Sequence, residues 1–188
     1  MIRIFLALIF LVPSVFAQVP PEAFTFETNI GIYEADNAQI TKIRTAEELI
    51  KKVIASEDFQ NAVLDHTYNN QKTFVDNMGL SNFQIYKKML AGAEQLNRNA
   101  NNTMDMGIVV YYEDTSTVAW TVYSSPNINI NSKFLNNFTP PDLTGTIMHE
   151  WLHKLGFEHE FYYTPTREFS VPYGVGSIMK RLAYKAAN

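Results

Sequence analysis

Three of the four histidines of this chain lie within eleven residues, in the segment HEWLHKLGFEH at 149–159. His149 and His153 are four residues apart, which on a helix places both imidazoles on one face, one turn apart. Gly156 can end that helix, because glycine adopts positive φ readily, and His159 can then fold back towards the other two. The spacing therefore predicts three imidazole nitrogens around one metal ion.

The helix that carries this segment also has marked ends in the sequence. Thr139 or Asp142 can cap its first turn, and the prolines at 140–141 fall where a first turn tolerates them. Gly156 supplies a left-handed stop at the other end. Three protein ligands leave one position of a Zn²⁺ ion open for water, as in catalytic rather than structural zinc sites. Glu150 would lie beside the metal and act as general base on that water.

The segment HEWLHKLGFEHE resembles the elongated zinc motif HExxHxxGFxHE of the astacin-like metzincin metallopeptidases. Metzincins carry a methionine turn below the zinc, and Met179 in Ser-Ile-Met is the candidate here. The stretch VAWTVY at 118–123 resembles the edge strand that pairs with substrate in this family, which assigns Ala119, Trp120 and Thr121 to substrate binding. The resemblance implies a zinc-dependent endopeptidase.

One departure from the astacin pattern concerns a tyrosine. Astacins place a tyrosine two residues after the turn methionine, and Arg181 occupies that position here. A tyrosine that assists the transition state must then come from elsewhere, and Tyr173 and Tyr184 are the candidates. The resemblance covers about residues 105–180 and leaves the branch of the metzincins open.

The rest of the chain predicts helices before a small sheet. Thr45 and Glu48 form a capping-box pattern that predicts a helix start, and a second helix is predicted over 82–96. Short strands are predicted at 106–113, 117–125 and 127–135, the second running back on the first, with a strand end at 40–43. The expected fold is α+β and metzincin-like: a small mixed twisted sheet, long helices, the active-site helix and a short irregular C-terminal subdomain.

The first residues, MIRIFLALIFLVPSVFA, combine one arginine, an apolar run and small residues near Ala17. This layout is typical of a secretory signal peptide at 1–17, and its apolar run is shorter than the about 20 residues that span a bilayer. Residues 18–38, with two adjacent prolines, predict an extended leader: a strand-bearing edge, a linker or a pro-segment. Residues 39–188 then form a single minimal catalytic domain.

Composition narrows the expected partners. The chain has no cysteine, so no disulfide stabilises it outside the cell. Its 19 acidic residues outnumber its 15 basic ones, and no basic stripe appears, which argues against nucleic acid as a partner. We predict a secreted or periplasmic monomer with no membrane anchor after signal cleavage, whose partner is a polypeptide substrate bound as an extended strand.

Two other functions are compatible with the same residues. The first is a catalytically inactive protein in which zinc stabilises a binding surface, and the second is a zinc amidase that acts on a cell-wall polymer. The glutamate beside the first histidine favours catalysis, since a purely structural site has no use for a base there. Cleavage specificity depends on the shape of the pocket and is left open by the sequence.

Overall fold

The computed structural model describes residues 25–188, so the signal peptide predicted at 1–17 lies outside the described residues. The described part is a mixed α+β fold with one four-stranded sheet and several helices. The strands are β1 (Glu27–Tyr33), β2 (Thr103–Tyr111), β3 (Ala119–Thr121) and β4 (Asn127–Asn131). The helices are α1 (Asn37–Ile54), α2 (Glu57–Leu64), α3 (Asn82–Ala91), α4 (Ser132–Leu135), α5 (Pro140–Lys154) and α6 (Val171–Ala187).

The sheet has the strand order β1-β2-β4-β3. β1, β2 and β4 run parallel, and β3 is antiparallel to β4. Alternate side chains of β2, from Met104 through Ile108 to Val110, are buried, as expected where one face of a sheet packs on a core. Because β3 is last in the strand order, it is an edge strand of the sheet.

Helix α5 lies at the centre of the helical layer. It packs against α6 and α1 and also contacts β3. Its side chains Ile147, Trp151 and Leu152 are completely buried. The helix that carries the first two histidines is thus held by the core on one side and adjoins the edge strand on another. No helix within residues 25–188 combines the length and the apolar character needed to cross a membrane.

The first helix begins earlier than the sequence predicts. Asp36 accepts a hydrogen bond from the backbone of Gln39 and closes a capping box there. Thr45, the predicted cap, lies inside α1, and its hydroxyl donates to the carbonyl of Thr41 at 2.9 Å. The helix start at Thr45 and the strand end at Ile40–Ile43 are therefore wrong, because a stronger cap lies two turns upstream.

The strand pairing also differs from the prediction. The segment that begins at residue 117 was expected to run back on β2, whereas β3 pairs with β4. β1 comes from the predicted leader, so of the three alternatives for that segment the strand-bearing edge is present at 27–33. The folded unit consequently extends upstream of residue 39. The helix predicted over 82–96 ends at Ala91, where Gly92 takes a left-handed conformation.

The C-terminal segment is helical, which corrects the expected irregular subdomain and the methionine turn. A 3-10 turn spans Arg167–Phe169, and Met179 is a fully buried residue of α6. Pro172 falls in the first turn of α6, where proline is tolerated. Gly176 faces Gly145 of α5: a Cβ on Gly176 would lie 2.9 Å from the Gly145 carbonyl oxygen. Gly176 therefore lets the two helices approach closely.

Candidate metal centre

The ends of α5 are those that the sequence predicts. Thr139 is the N-cap, with Pro140 following, and its hydroxyl accepts from the backbone of Asp142 while that carboxylate accepts from the Thr139 N–H. The helix ends at Lys154, and Gly156 has φ 93°. The left-handed conformation of Gly156 reverses the chain direction, so that His159 comes back towards the two histidines of α5.

The three histidines converge. One nitrogen from each of His149, His153 and His159 lies within 4.8 Å of the others, and the Nε2 atoms of His149 and His159 are 3.2 Å apart. Two nitrogens that each bind one tetrahedral zinc ion at about 2.0–2.1 Å are roughly 3.3 Å apart. Among the described residues, these three histidines are the group of potential ligands that could hold a metal ion, and imidazole nitrogens suit zinc, copper, iron and nickel.

Backbone carbonyls orient two of the rings. Nδ1 of His153 donates to the carbonyl of Phe157 at 2.7 Å, and Nδ1 of His159 donates to the carbonyl of Glu160 at 2.9 Å. Because a carbonyl can only accept, these contacts place the proton on Nδ1 and leave Nε2 unprotonated. A hydrogen bond from one ring nitrogen to a carbonyl orients a histidine to bind a metal through its other nitrogen.

The environment keeps the imidazoles neutral. Burial, together with the other two histidines, lowers the pKa of His149 to about 2. Burial lowers the pKa of His153 to about 4, and burial also lowers the pKa of His159. Desolvation disfavours the charged form of a histidine, so all three side chains are uncharged at neutral pH and have lone pairs to offer a cation.

Glu150 follows His149 in the chain and, like the three histidines, lines a large cleft. Its side chain is only 6 % exposed, and burial raises its pKa to about 7, while the charge of Lys154 opposes the shift. A carboxyl group with a pKa near neutrality can both accept and release a proton at working pH. Its chemistry is therefore that of a general base and acid.

The histidines lie in a cleft of about 1000 Å³. All three residues of β3, Ala119, Trp120 and Thr121, line it, and their outer edge has no strand partner within residues 25–188. Trp120 is 43 % exposed. An unpaired strand edge beside the histidines offers backbone donors and acceptors to an extended chain.

Of the two candidate tyrosines, only one is near the histidines. Tyr173, in the first turn of α6, lies with its ring centroid 4.4 Å from that of His149 and 4.8 Å from that of His159. Burial raises its pKa, and the charge of Arg167 opposes the shift, so the phenol keeps its proton at neutral pH. Tyr184 lies elsewhere, with its hydroxyl 3.0 Å from that of Thr139.

The methionine predicted to underlie the histidines is not in a turn. On the α6 side Gly176 approaches His149: a Cβ on Gly176 would lie 3.4 Å from the His149 Cβ. Met179 is buried within α6. The structure therefore has a helix, and not a turn, at the methionine that the resemblance assigns to the turn.

Three further residues support the cleft and have no signal in the sequence. Lys154 donates from Nζ to the carbonyls of Val122 and Ser125 at 2.9 and 2.6 Å, which ties the end of α5 to the segment after β3. Glu94 accepts from the indole of Trp151 at 2.7 Å within the core. Arg167 also lines the cleft. The partners of Lys154 and Glu94 are distant along the chain, so only the fold reveals these pairings.

With this geometry established, the chain was compared with known proteins. No protein-family model matches it, and no curated protein matches it either. The case for function consequently depends on the geometry of the histidine trio, on the glutamate beside it and on the cleft in which they lie.

Proposed function

We propose that this protein is an exported zinc-dependent endopeptidase of metzincin type. The observation that carries the proposal is the convergence of three histidine nitrogens beside a buried glutamate, in a cleft bordered by an unpaired strand edge. The zinc motif and the antiparallel edge strand support the metzincin assignment. The helical conformation at Met179 departs from it, so the branch stays open.

His149, His153 and His159 would hold the metal. Bound zinc would supply Lewis acidity, which makes water more acidic and polarises a carbonyl group. Two of the three ligands have their orientation fixed by backbone carbonyls. These two rings therefore lose little conformational entropy when the metal binds.

Glu150 would move the protons. With its pKa near 7 it accepts a proton from the attacking water and then delivers it to the nitrogen of the departing amine. In the same cleft Tyr173, whose phenol stays protonated, would donate a hydrogen bond to the oxygen of the scissile carbonyl as negative charge develops there.

Substrate would bind as an additional strand along β3. The outer edge of β3 offers backbone hydrogen bonds to an extended polypeptide. Lys154 holds the segment that follows, which keeps this edge at a fixed distance from the histidines. Export through residues 1–17, monomeric behaviour and the absence of nucleic-acid partners complete the proposal.

The decisive variant is Glu150→Gln, which keeps the shape of the side chain and removes the base. Zinc-loaded wild-type protein should cleave members of a mixed peptide library. The variant should bind zinc equally well but cleave about 100- to 10,000-fold more slowly. Glu168→Gln, at an exposed residue that does not line the cleft, is the matched control and should cleave as wild type.

Equal turnover by Glu150→Gln would reject this mechanism. If wild type cleaves no peptide but degrades purified cell-wall material, the catalytic reading stands and the substrate is a non-protein amide. If zinc binds and neither substrate is cleaved, a zinc-stabilised binding protein is the correct function.

A further inference from the structure

A guanidinium group in the cleft is not used by the proposed chemistry. Arg167 begins the 3-10 turn that leads into α6, is half-buried and lines the cleft together with the histidines. Its Cζ lies 4.8 Å from the centroid of the Tyr173 ring. One aromatic ring therefore separates this cation from the imidazole of His149.

The charge of Arg167 is not neutralised within the described chain. No carboxylate of residues 25–188 lies within 4.0 Å of its guanidinium, and its Nε is buried without a hydrogen-bond partner there. Lys180, another cation that lines the cleft, is paired with Asp142 at 2.8 Å. A partly buried and unpaired guanidinium is costly, so its retention in a cleft indicates an anion that arrives with a ligand.

The form of the side chain indicates which anion fits. A guanidinium is planar and presents N–H donors that match the two oxygens of a carboxylate. In Arg167 the guanidinium carbon lies 4.8 Å from the centre of the Tyr173 ring, and this cation–π contact restrains the side chain beside the cleft. Because the guanidinium fork is rigid, little entropy is lost for each hydrogen bond that it forms with a carboxylate.

We propose that Arg167 binds a carboxylate of the substrate, so that the enzyme prefers peptides with a carboxylate close to the cleaved bond. This inference rests on the proposed peptidase function. An extended chain advances about 3.3 Å per residue, and one aromatic ring separates Arg167 from His149, so the carboxylate lies within about two residues of that bond. It belongs either to an acidic side chain or to the C terminus of the substrate.

Matched substrates test the preference. A cleaved library peptide is remade with Glu or Gln at each position flanking the cleaved bond, and with a free or an amidated C terminus. Wild type should favour the carboxylate in one pair of substrates through a roughly 10- to 100-fold lower KM. The pair that responds identifies whether the carboxylate is a side chain or a C terminus.

Variants then assign the preference to a residue. Arg167→Gln should reduce the ratio between paired substrates to about one, and Arg167→Lys should retain part of it because the charge remains. Lys180→Gln is the matched control within the cleft and should keep the full preference, since its charge is already paired. If Arg167 only positions Tyr173, both variants lower kcat equally for the two members of each pair, and that result overturns the proposal.

A binding measurement separates this inference from the proposed function. Calorimetric titration of zinc-loaded Glu150→Gln protein with the Glu and Gln forms of an N-acetylated peptide amide, and with its free-acid form, needs no turnover. Tighter binding of a carboxylate form that is lost in Arg167→Gln supports the inference even if no peptide is ever cleaved. Cleavage without any preference that depends on Arg167 leaves the peptidase function in place and refutes the inference.

Discussion

The two walls of the cleft are built in opposite ways. The helix wall, α5 at 140–154, is capped at both ends and packed against two other helices. The loop wall, residues 160–169, begins with three aromatic side chains, Phe161, Tyr162 and Tyr163, that are 85 %, 79 % and 74 % exposed. His149, Glu150 and His153 lie on the helix wall, and Arg167, which we propose binds a substrate carboxylate, lies on the loop wall. Rigid elements hold reacting groups more precisely than loops do.

Loss of a ligand from the helix wall should have the largest effect. In His153→Ala only two imidazoles remain, so the metal content of purified protein should fall from about one zinc per chain to near zero, and hydrolysis with it. Elemental analysis after dialysis measures this. His66→Ala is the control, because His66 stacks on Phe74 away from the trio and should leave zinc bound. Full zinc content in His153→Ala would refute the three-histidine site.

Mutation of the close contact between Gly176 of α6 and Gly145 of the helix wall should have the second largest effect. Gly176→Ala places a methyl group against the carbonyl of Gly145, a backbone atom that cannot rotate away. We expect a loss of about 1–3 kcal/mol in the free energy of unfolding, together with weaker zinc binding as His149 shifts. Urea unfolding measures the first effect. Ser177→Ala, an exposed neighbour on α6, should change stability by less than about 0.5 kcal/mol.

Asp142, in the first turn of the helix wall, should make the free energy of unfolding depend on pH. Burial would raise the pKa of Asp142, but hydrogen bonds from Lys180 and Thr139 outweigh it, and the net pKa lies well below the usual value. A carboxyl group with a lowered folded-state pKa stabilises the protein above its unfolded pKa, near 4, and the stabilisation is lost as the pH falls.

Asp142→Asn should therefore cost about 1 kcal/mol at pH 7, and the difference from wild type should shrink below about pH 4. Urea titrations at pH 7 and pH 3 measure it. Asp114→Asn removes a mostly exposed ion pair with Lys133 and should have a smaller effect at both values. A constant deficit for Asp142→Asn at both pH values would contradict the assignment.

Changes to the loop wall should have the smallest effect on stability. Tyr162→Ser removes an aromatic ring that is largely in solvent, so the free energy of unfolding should change by less than about 0.5 kcal/mol. Tyr163→Ser provides a replicate of the same kind. If either variant lost as much stability as Gly176→Ala, the contrast between the two walls would be wrong.

Features that depend on local interactions could be predicted from the sequence, whereas features that depend on contacts distant along the chain could not. The caps of α5 and the left-handed Gly156 are local, and the sequence predicts them correctly. The three histidines converge as predicted, because the helical spacing and one glycine determine their positions. The start of α1 was wrong even though its cap is also local, since Asp36 and Thr45 offered competing patterns.

Non-local contacts escaped prediction. Gly176 looks like a turn residue unless Gly145 is known to face it. The pairing of β3 with β4 depends on a parallel crossover from β2, whereas the polar residues at 114–116 suggested a hairpin. Arg167 belongs to no motif, and only the folded chain brings it next to Tyr173.

The first strand limits how far the N terminus can be shortened while the protein stays folded. β1 covers one edge of β2 through seven paired residues, and Phe26, just before it, packs edge-on against Trp151 of the helix wall at 5.8 Å. Cleavage after Phe26 would remove a buried aromatic ring, and cleavage within β1 would also expose the edge of β2. Any N-terminal trimming that leaves a folded protein must therefore stop upstream of Phe26, which makes this residue the practical boundary for designing truncated forms.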